Sequence, residues 1–580
     1  MNIDISKIYF GENEFIASPY QQKIFDFLLK GCGNLVVNAS AGSSKTTTLI
    51  NCIRFIPSNK KTIFISFNKH IAEEINLRMK KEKSNAIART CSSIGYEICR
   101  ENNIGLGEVN NEKYNDYIRK NILELTSYHE IESLGRKKGI YLKNIRTLTD
   151  LCRYTLSFTI REIGNVANKY GIVPFRDEFA VVREILIWGE NNHDIIDQTD
   201  MVWLPNVLNL NTKKLLKDFI FIDEAQDISI AQQSLIIKCA KRGARIIAVG
   251  DRNQQINVWC GSDEAAIDKL KANPNTIELS LPICYRCGKK IIDFANQYSS
   301  DVMIPAENAI DGEINYNATL SDISPGDMVL SRNTAPLIKL QQELLRRNQL
   351  VYIQGCKEIK NEYLEMISNI NANNIDIDCK TKDGLIYQLY GGLIDEINKL
   401  ILDMGMDEEE AYSRTSILTQ YDNIEGIKVL AEGLTTVKEL NEKINIIFNE
   451  KSNGAILLST VHRAKGLEAN KVFIYLPSIL EYNPMAEKDW ELKTEQNLRY
   501  VAYTRAKKSL NFIKEDSKNP FNYLINFKNE IAKIKKIISD DPQQDINLKS
   551  PLNNNVTTIQ NNKKKNLKGG LKLCNLLKNG

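Results

Sequence analysis

The hydrophobic pattern of the chain changes its period several times. Short apolar runs rich in branched and aromatic residues occur at Leu35 to Val37, Thr62 to Phe67, Phe219 to Ile222 and Arg245 to Val249. Each leads into a polar loop and then into a segment with helical spacing, the order expected of a parallel sheet covered on both faces. From about residue 100 to 215 the pattern is helical and poor in strands, which predicts an inserted helical subdomain. A second strand–helix series begins near Ile277 and includes Met328 to Ser331 and Leu350 to Gln354. A helical interval follows over about 358–450, and strands return at Ala455 to Ser459 and Val472 to Leu476. The expected fold class is α/β, as two sheet units that each carry a mainly helical insertion.

Composition narrows this picture. A chain of 580 residues is too long for one core and suits three or four domains. With 43% hydrophobic and 26% charged residues, it reads as an ordinary globular protein. No apolar run is long enough to cross a bilayer, and the start MNIDISKIYFGENEF lacks a secretory pattern, so no membrane is expected as a partner. Twelve scattered cysteines suit a reducing, intracellular and cytoplasmic setting, with a nuclear or viral one left open. The pair Cys284 and Cys287 has no second pair with which to bind zinc.

The net charge of +4 is uneven: residues 541–580 hold seven lysines and two aspartates, leaving the rest at about −1. Nucleic acid would therefore be held by local basic surfaces rather than by a global field. The low-complexity basic tail predicts disorder, as a solvated end or a nucleic-acid arm. Its ending, Leu571 to Leu577, is a candidate short helix for a protein partner.

The candidate chemistry begins where Leu35 to Val37 meets Asn38-Ala39-Ser40-Ala41-Gly42-Ser43-Ser44-Lys45-Thr46-Thr47. A strand, a loop of small residues and a helix beginning near Thr46 form the frame of a phosphate-binding loop. Backbone N–H groups and the helix N-terminus would face the phosphates of ATP. The cofactor-binding candidates here are Ala41, Gly42, Ser43, Ser44, Lys45, Thr46 and Thr47. Lys45 would neutralise the β/γ-phosphates, and Thr46 would ligate Mg²⁺. The usual pattern, G-x-x-x-x-G-K-[ST], has glycine where this chain has Ala39 and Ser44, and a Ser-rich turn is the plain alternative.

A second group follows the apolar run Phe219 to Ile222: Asp223-Glu224-Ala225-Gln226-Asp227. Carboxylates at the C-terminal end of a buried strand emerge at the edge where such sheets bind ligands. Asp223 is the second candidate Mg²⁺ residue, and Glu224 the candidate base for the attacking water. A helix-start acidic cluster is the ordinary alternative.

These segments recur, in order, in the UvrD/Rep-type superfamily 1 DNA helicases, which the chain resembles over about residues 18–515. Ser18-Pro19-Tyr20-Gln21 resembles the glutamine motif, in which the amide of Gln21 reads adenine. Ile65 to Lys69 and Thr90 to Gly95 resemble the DNA-contacting motifs that follow. Asp223 to Asp227 is motif II, Val249 to Ile256 is similar to motif III, and Leu281 to Cys287 to motif IV. Thr460-Val461-His462-Arg463-Ala464-Lys465-Gly466-Leu467-Glu468 resembles motif V, and Leu498 to Ala506 motif VI. Phe67-Asn68-Lys69 is closest in wording to the F-box DNA helicase branch, although no segment of F-box size precedes it.

The resemblance implies two RecA-like motor domains, residues 1–100 with 216–276 and residues 277–357 with 451–520, with helical insertions over 101–215 and 358–450. It implies catalytic roles for Lys45, Asp223, Glu224, Gln254, Arg286 and Arg505. The two arginines offset the charge of the transferred phosphoryl group, and Gln254 senses the γ-phosphate. Tyr285 would stack on the base of ATP and Glu468 contact its ribose; Tyr285 as a core ring is the alternative. Phe67, Asn68, Thr90, Trp259, Thr460 and His462 would contact single-stranded DNA, Trp259 by stacking, with a core role as its alternative. The substrate implied is single-stranded DNA and duplex/single-strand junctions, in repair, recombination or replication, with 3′→5′ movement.

The chain also departs from the family. Ser44 replaces a glycine; a serine side chain fits there if φ is negative, with a cost to nucleotide affinity expected. Asn257 stands at a stacking Tyr, Cys260 at an Arg, and Ser92 at a His. The phosphate chemistry is nearly intact, while the grip on DNA is altered. Two rivals follow: a translocase that strips proteins from DNA with weak unwinding, and a nucleotide-gated interaction protein whose site has decayed.

Overall fold

The apolar runs close into two six-stranded sheets, each wholly parallel. The structure is a computed structural model; it describes residues 4–539 except 11–12, 67–68, 82–85, 126–137, 173–176, 213, 259–260, 264, 371–383, 403–407, 414, 449–453, 482–488 and 516–521. The chain divides into the units Met1–Ile531 and Ala532–Gly580. In the second, the described residues form the end of the helix Asn522–Ser539, and the expectations for the basic tail lie outside the described residues.

After a short antiparallel hairpin, β1 (Lys7–Phe10) and β2 (Asn13–Ile16), the first sheet is built from β3 (Asn34–Ala39), β4 (Thr62–Ser66), β5 (Ile87–Thr90), β6 (Lys217–Ile222), β7 (Ala240–Gly250) and β8 (Thr276–Leu281). Their spatial order is β5-β4-β6-β7-β3-β8. Alternate residues serve opposite faces, as the two-residue period of a strand requires. Leu35, Val37, Phe64 and Phe221 pack with Ile24, Leu49 and Ile75 on one side. Val36, Ile63, Ile65, Ile220 and Ile222 pack with Ile94, Leu235 and Ile267 on the other. Both faces are thus covered by helices, which accounts for strands that read as unbroken apolar runs.

The expected boundary near Ile277 is corrected by the structure. Thr276–Leu281 pairs along its whole length with β3, from Asn34↔Thr276 to Ala39↔Leu281, so the first sheet extends to Leu281. The preceding helix, Ala266–Lys271, packs on that sheet and returns the chain to the free edge of β3.

The second sheet follows β9 (Ile283–Cys284) and β10 (Ile304–Pro305), which pair with each other. It comprises β11 (Glu313–Ala318), β12 (Met328–Ser331), β13 (Val351–Ile353), β14 (Ile456–Thr460), β15 (Ala469–Ile474) and β16 (Ala506–Ile513), in the order β11-β16-β15-β12-β14-β13. Between Lys113 and Val207 the described elements are helices, around a core of Ile145, Leu148, Ile185 and Trp203. The described elements from Cys356 to Ile447 are helical as well. None of the helices is long and apolar enough to cross a membrane, among the described residues.

Candidate nucleotide cleft and nucleic-acid edge

The phosphate-loop candidate leaves the C-terminal end of β3, which lies between β7 and the edge strand β8 of the first sheet. Ser40 N–H donates to Leu281 C=O at 3.0 Å, and Ser43 N–H to Ser40 C=O at 3.3 Å, which folds the chain back on itself. Gly42 turns with φ of +69°, and a Cβ there would lie 2.7 Å from Arg286 Cβ. The helix Lys45–Cys52 starts at once, with Thr48 N–H on Ser44 C=O at 2.8 Å. Ser44 itself has φ of +62° and ψ of +37°. The condition that a serine fits at negative φ is therefore not met: Ser44 holds the left-handed conformation for which glycine is the usual choice.

Lys45 is buried, and its ammonium lies 3.9 Å from Glu224 Oε1. Thr46 donates its hydroxyl to Asp223 Oδ2 at 2.5 Å. Thr47 contributes its carbonyl to Asn51 at 2.9 Å. β6 delivers the acids: Asp223 N–H donates to Ile65 C=O at 3.1 Å, and Glu224 follows in a left-handed turn with φ of +52°. Glu224 Oε2 accepts the Gln226 amide at 2.6 Å. Burial, reinforced by the Glu224 carboxylate, pushes Asp223 up to about 6. Burial also opposes ionisation of Glu224, but Lys45, Lys465 and the Gln226 bond outweigh it and hold the carboxyl at about 2. The cleft thus has one carboxylate with a high proton affinity, where a cation would be welcome, and one that stays ionised.

The second sheet closes the site. Arg505, fully buried, donates to Val501 C=O at 2.8 Å and faces Gln254 Oε1 at 3.5 Å. Burial and the like charge of Arg286 lower Arg505 to about 10, which leaves it charged at neutral pH. Arg286 pairs with Glu468 at 2.6 Å, and Glu468 also pairs with Lys507 at 2.5 Å. Tyr285 donates its N–H to Gly42 C=O at 2.9 Å while its ring stays 47% exposed, so the core alternative for this ring does not hold. Lys45, Thr46, Asp223, Glu224, Gln254 and Arg505 are brought together, with Arg286, Tyr285 and Glu468 beside Gly42.

Gln21 spends part of its amide on the fold. It is buried, its Oε1 accepts the Ser18 N–H at 2.9 Å in a helix cap, and its Nε2 donates to Thr48 at 2.9 Å. These bonds use one donor and one acceptor position of the amide and leave one of each for adenine.

At the same edge, Thr90 ends β5 and Thr460 ends β14, one for each sheet. Thr90 accepts the Ser93 N–H at 3.2 Å as a helix cap. Burial, with Arg332 next, pushes the His462 imidazole down to about 3, so this residue offers neutral donor and acceptor groups rather than a cation. Asn257 bonds to Asp227 at 3.3 Å instead of offering a ring. Phe67, Asn68, Trp259 and Cys260 lie outside the described residues.

Two residues escaped the sequence reading although both stand inside quoted motifs. Lys465 pairs with Asp227 and donates to Gln254 C=O at 2.7 Å, joining motif V to motifs II and III. Tyr500 bonds to Ala41 and Asp251. A lysine beside Gly-Leu-Glu and a tyrosine in an apolar helix give no signal of such roles without the fold.

The residues also fit the ligands expected. Among the described residues the buried Ser43 hydroxyl has no bonding partner, the Lys45 ammonium stands nearly 4 Å from its nearest acid, and the pair Thr46 and Asp223 is an all-oxygen set suited to Mg²⁺. Two parallel sheets with a phosphate loop on one and arginines on the other define a P-loop protein of the two-motor class.

Comparison with known proteins agrees. Residues 19–275 match the profile of the UvrD/REP helicase N-terminal domain, and residues 455–513 that of the UvrD-like helicase C-terminal domain. The chain belongs to the UvrD/Rep helicase family, and its sheets are the RecA-like motor domains of that family. It is 26% identical over 311 residues to the ATP-dependent DNA helicase Rep of Buchnera aphidicola, covering 49% of this chain and 45% of that protein. It is 24% identical over 549 residues to the Gabija protein GajB of Bacillus cereus, covering 88% and 98%. F-box DNA helicase 1 of Gallus gallus is 23% identical over 512 residues, covering 84% and 48%. The chain spans less than half the length of the Rep proteins it matches.

Proposed function

We propose that the chain is an ATP- and Mg²⁺-dependent DNA helicase and single-strand translocase. One observation carries the reading: Lys45, Thr46, Asp223 and Glu224 of the first sheet meet Arg505 of the second through Gln254. Lys45 and the loop N–H groups bind the phosphates, and Thr46 with Asp223 would hold Mg²⁺. That ion, when bound, supplies further positive charge to the phosphate oxygens. Glu224 accepts a proton from the attacking water, while Arg286 and Arg505 offset the charge that develops on the transferred group. Arg505 stands just before β16 of the second sheet and Arg286 lies between β9 and the helix Lys289–Ala295, both after the first sheet has ended. Hydrolysis therefore alters what holds the two motors together, and this drives their relative motion.

The strand track runs across the ends of β5 and β14, past Thr90 and Thr460. Movement is 3′→5′, in repair, recombination or replication; the helical insertion ahead of motif II and the motif V wording support the polarity. Weak unwinding with protein displacement is the closest variant, because Asn257 is spent on Asp227. One observation favours a nucleotide-gated binder instead: the strained Ser44. The retained Glu224 and two arginines weigh against it, since a binder has no use for them.

The test is the ATPase rate without nucleic acid, with single-stranded DNA and with RNA, followed by strand displacement from duplexes with 3′ or 5′ tails. Stimulation by DNA and a 3′-tail preference are expected. A rate indifferent to DNA would sink the motor reading, and a 5′ preference the polarity.

A further inference from the structure

Tyr500 has none of the roles above, yet its side chain is fully buried where the two sheets meet. Its hydroxyl accepts the Ala41 N–H at 3.0 Å and donates to Asp251 Oδ2 at 3.4 Å. The same Asp251 oxygen accepts Gln254 Nε2 at 2.7 Å. Gln254 Oε1 in turn faces Arg505, whose Nε returns to Val501 C=O at 2.8 Å, next to Tyr500 in the same helix. Phosphate loop, motif III and motif VI are therefore joined in one ring of bonds, and Tyr500 is the only side chain in it that reaches the loop.

We propose that Tyr500 is a positioning residue for ATP hydrolysis: its hydroxyl ties the phosphate loop to Asp251, so that Gln254 and Arg505 take up their places together with the loop. The Ala41 N–H spent on Tyr500 is not aimed at phosphate, so this bond sets where the loop lies rather than what it binds. A phenyl ring would fill the same space without burying a polar atom, and a buried hydroxyl is costly unless both its bonds are made. Burial pushes the Tyr500 hydroxyl well above its ordinary range, so it remains a donor at neutral pH. Asp251 is buried as well, and it supplies the oxygen that Tyr500 and Gln254 share.

The inference rests on reading the cleft as an ATPase, and the test separates the two. Tyr500→Phe keeps the ring and deletes both bonds. With the full chain, kcat at saturating ATP and single-stranded DNA, the Kd of a fluorescent ADP and the melting temperature are measured for wild type, Tyr500→Phe, Gln254→Ala and the double variant. Losing a hydrogen bond to a buried carboxylate predicts a fall in kcat of about tenfold or more, with ADP affinity within about threefold. Because the two residues act through one carboxylate, Tyr500→Phe should cost less than about threefold in the Gln254→Ala background. An unchanged kcat in Tyr500→Phe, or losses that multiply in full, overturns the inference. A wild type that never hydrolyses ATP overturns the ATPase reading and this inference with it. Should Tyr500→Phe fail to fold, Asp251→Asn replaces it in the same cycle, and full multiplication with Gln254→Ala again overturns the proposal.

Discussion

The helical insertion and the nucleotide cleft each bury a cluster of charges, and they differ in how tightly those charges are held. In the insertion, Arg153 is 1% exposed and pairs with Asp197 at 2.7 Å, Asp200 at 3.0 Å and Asp150 at 2.5 Å. Lys113 joins Asp200 at 2.7 Å, and the Tyr114 hydroxyl donates to it at 2.6 Å. In the cleft, Lys45 approaches Glu224 only to 3.9 Å, the Ser43 hydroxyl is unmatched, and Ser44 and Glu224 both sit at positive φ. In the insertion, charges packed to contact distance serve the fold. Beside the phosphate loop, Lys45 and Glu224 are held apart on a strained backbone, which is how strain is commonly stored at functional positions.

The largest test of that contrast is Arg153→Ala against Lys45→Ala. Removing Arg153 leaves Asp197 and Asp200 buried side by side, so the insertion should lose about 3–5 kcal/mol, read as an early unfolding transition in denaturant. Lys45→Ala leaves Glu224 bonded to Gln226 and should change stability by about 1 kcal/mol or less, while nucleotide binding collapses. Equal losses of stability would erase the distinction between the clusters.

Next in size is Glu224→Gln. The amide keeps the shape and removes the proton acceptor, so turnover should fall by about a hundredfold or more, with ATP and DNA still bound. Near-normal turnover would mean that Glu224 belongs with the structural charges after all.

A smaller effect separates the clusters by pH. Burial, with Asp200 as a like charge beside it, pushes the Asp197 carboxyl up from 3.8 to about 6 despite Arg153. The folded state thus holds a proton that the unfolded chain has already lost. Its contribution is fully present below pH 3.8 and is lost as pH rises through about 6. A tenfold change in proton affinity corresponds to about 1.4 kcal/mol, so a decline of about 3 kcal/mol over that window is expected. Asp197→Asn should flatten the decline; an unaltered slope would assign it elsewhere.

Much of this was legible in the sequence, and the exceptions have physical causes. The buried strands announced themselves because both their faces are covered, as with Ile220 and Phe221. Strand β8 was assigned to the wrong sheet because a half-exposed edge strand carries a weak pattern, and its partner β3 lies more than two hundred residues away. That Asp223, Glu224 and Arg505 share one cleft was readable because the motifs that carry them are placed by their wording alone. Tyr500 and Lys465 were not, since their work depends on which backbone and carboxylate groups the fold brings opposite them. The sign of φ at Ser44 was likewise settled by the loop and not by the side chain.

The smallest prediction concerns that residue. Holding a non-glycine residue in the left-handed region costs about 1–2 kcal/mol, whereas glycine costs about 0.5–1 kcal/mol through the freedom it adds to the unfolded chain. Ser44→Gly should therefore gain about 0.5–1 kcal/mol of stability, with tighter nucleotide binding, because the loop no longer resists the turn that the helix Lys45–Cys52 requires. The same substitution sharpens the contrast between the clusters, since strain is relieved only in the cleft and the pH slope set by Asp197 should not move. Melting curves with and without ADP give both quantities from one preparation. A loss of nucleotide affinity despite a gain in stability would show that the Ser44 hydroxyl had been recruited to the phosphates, and that the strain is the cost of placing it there.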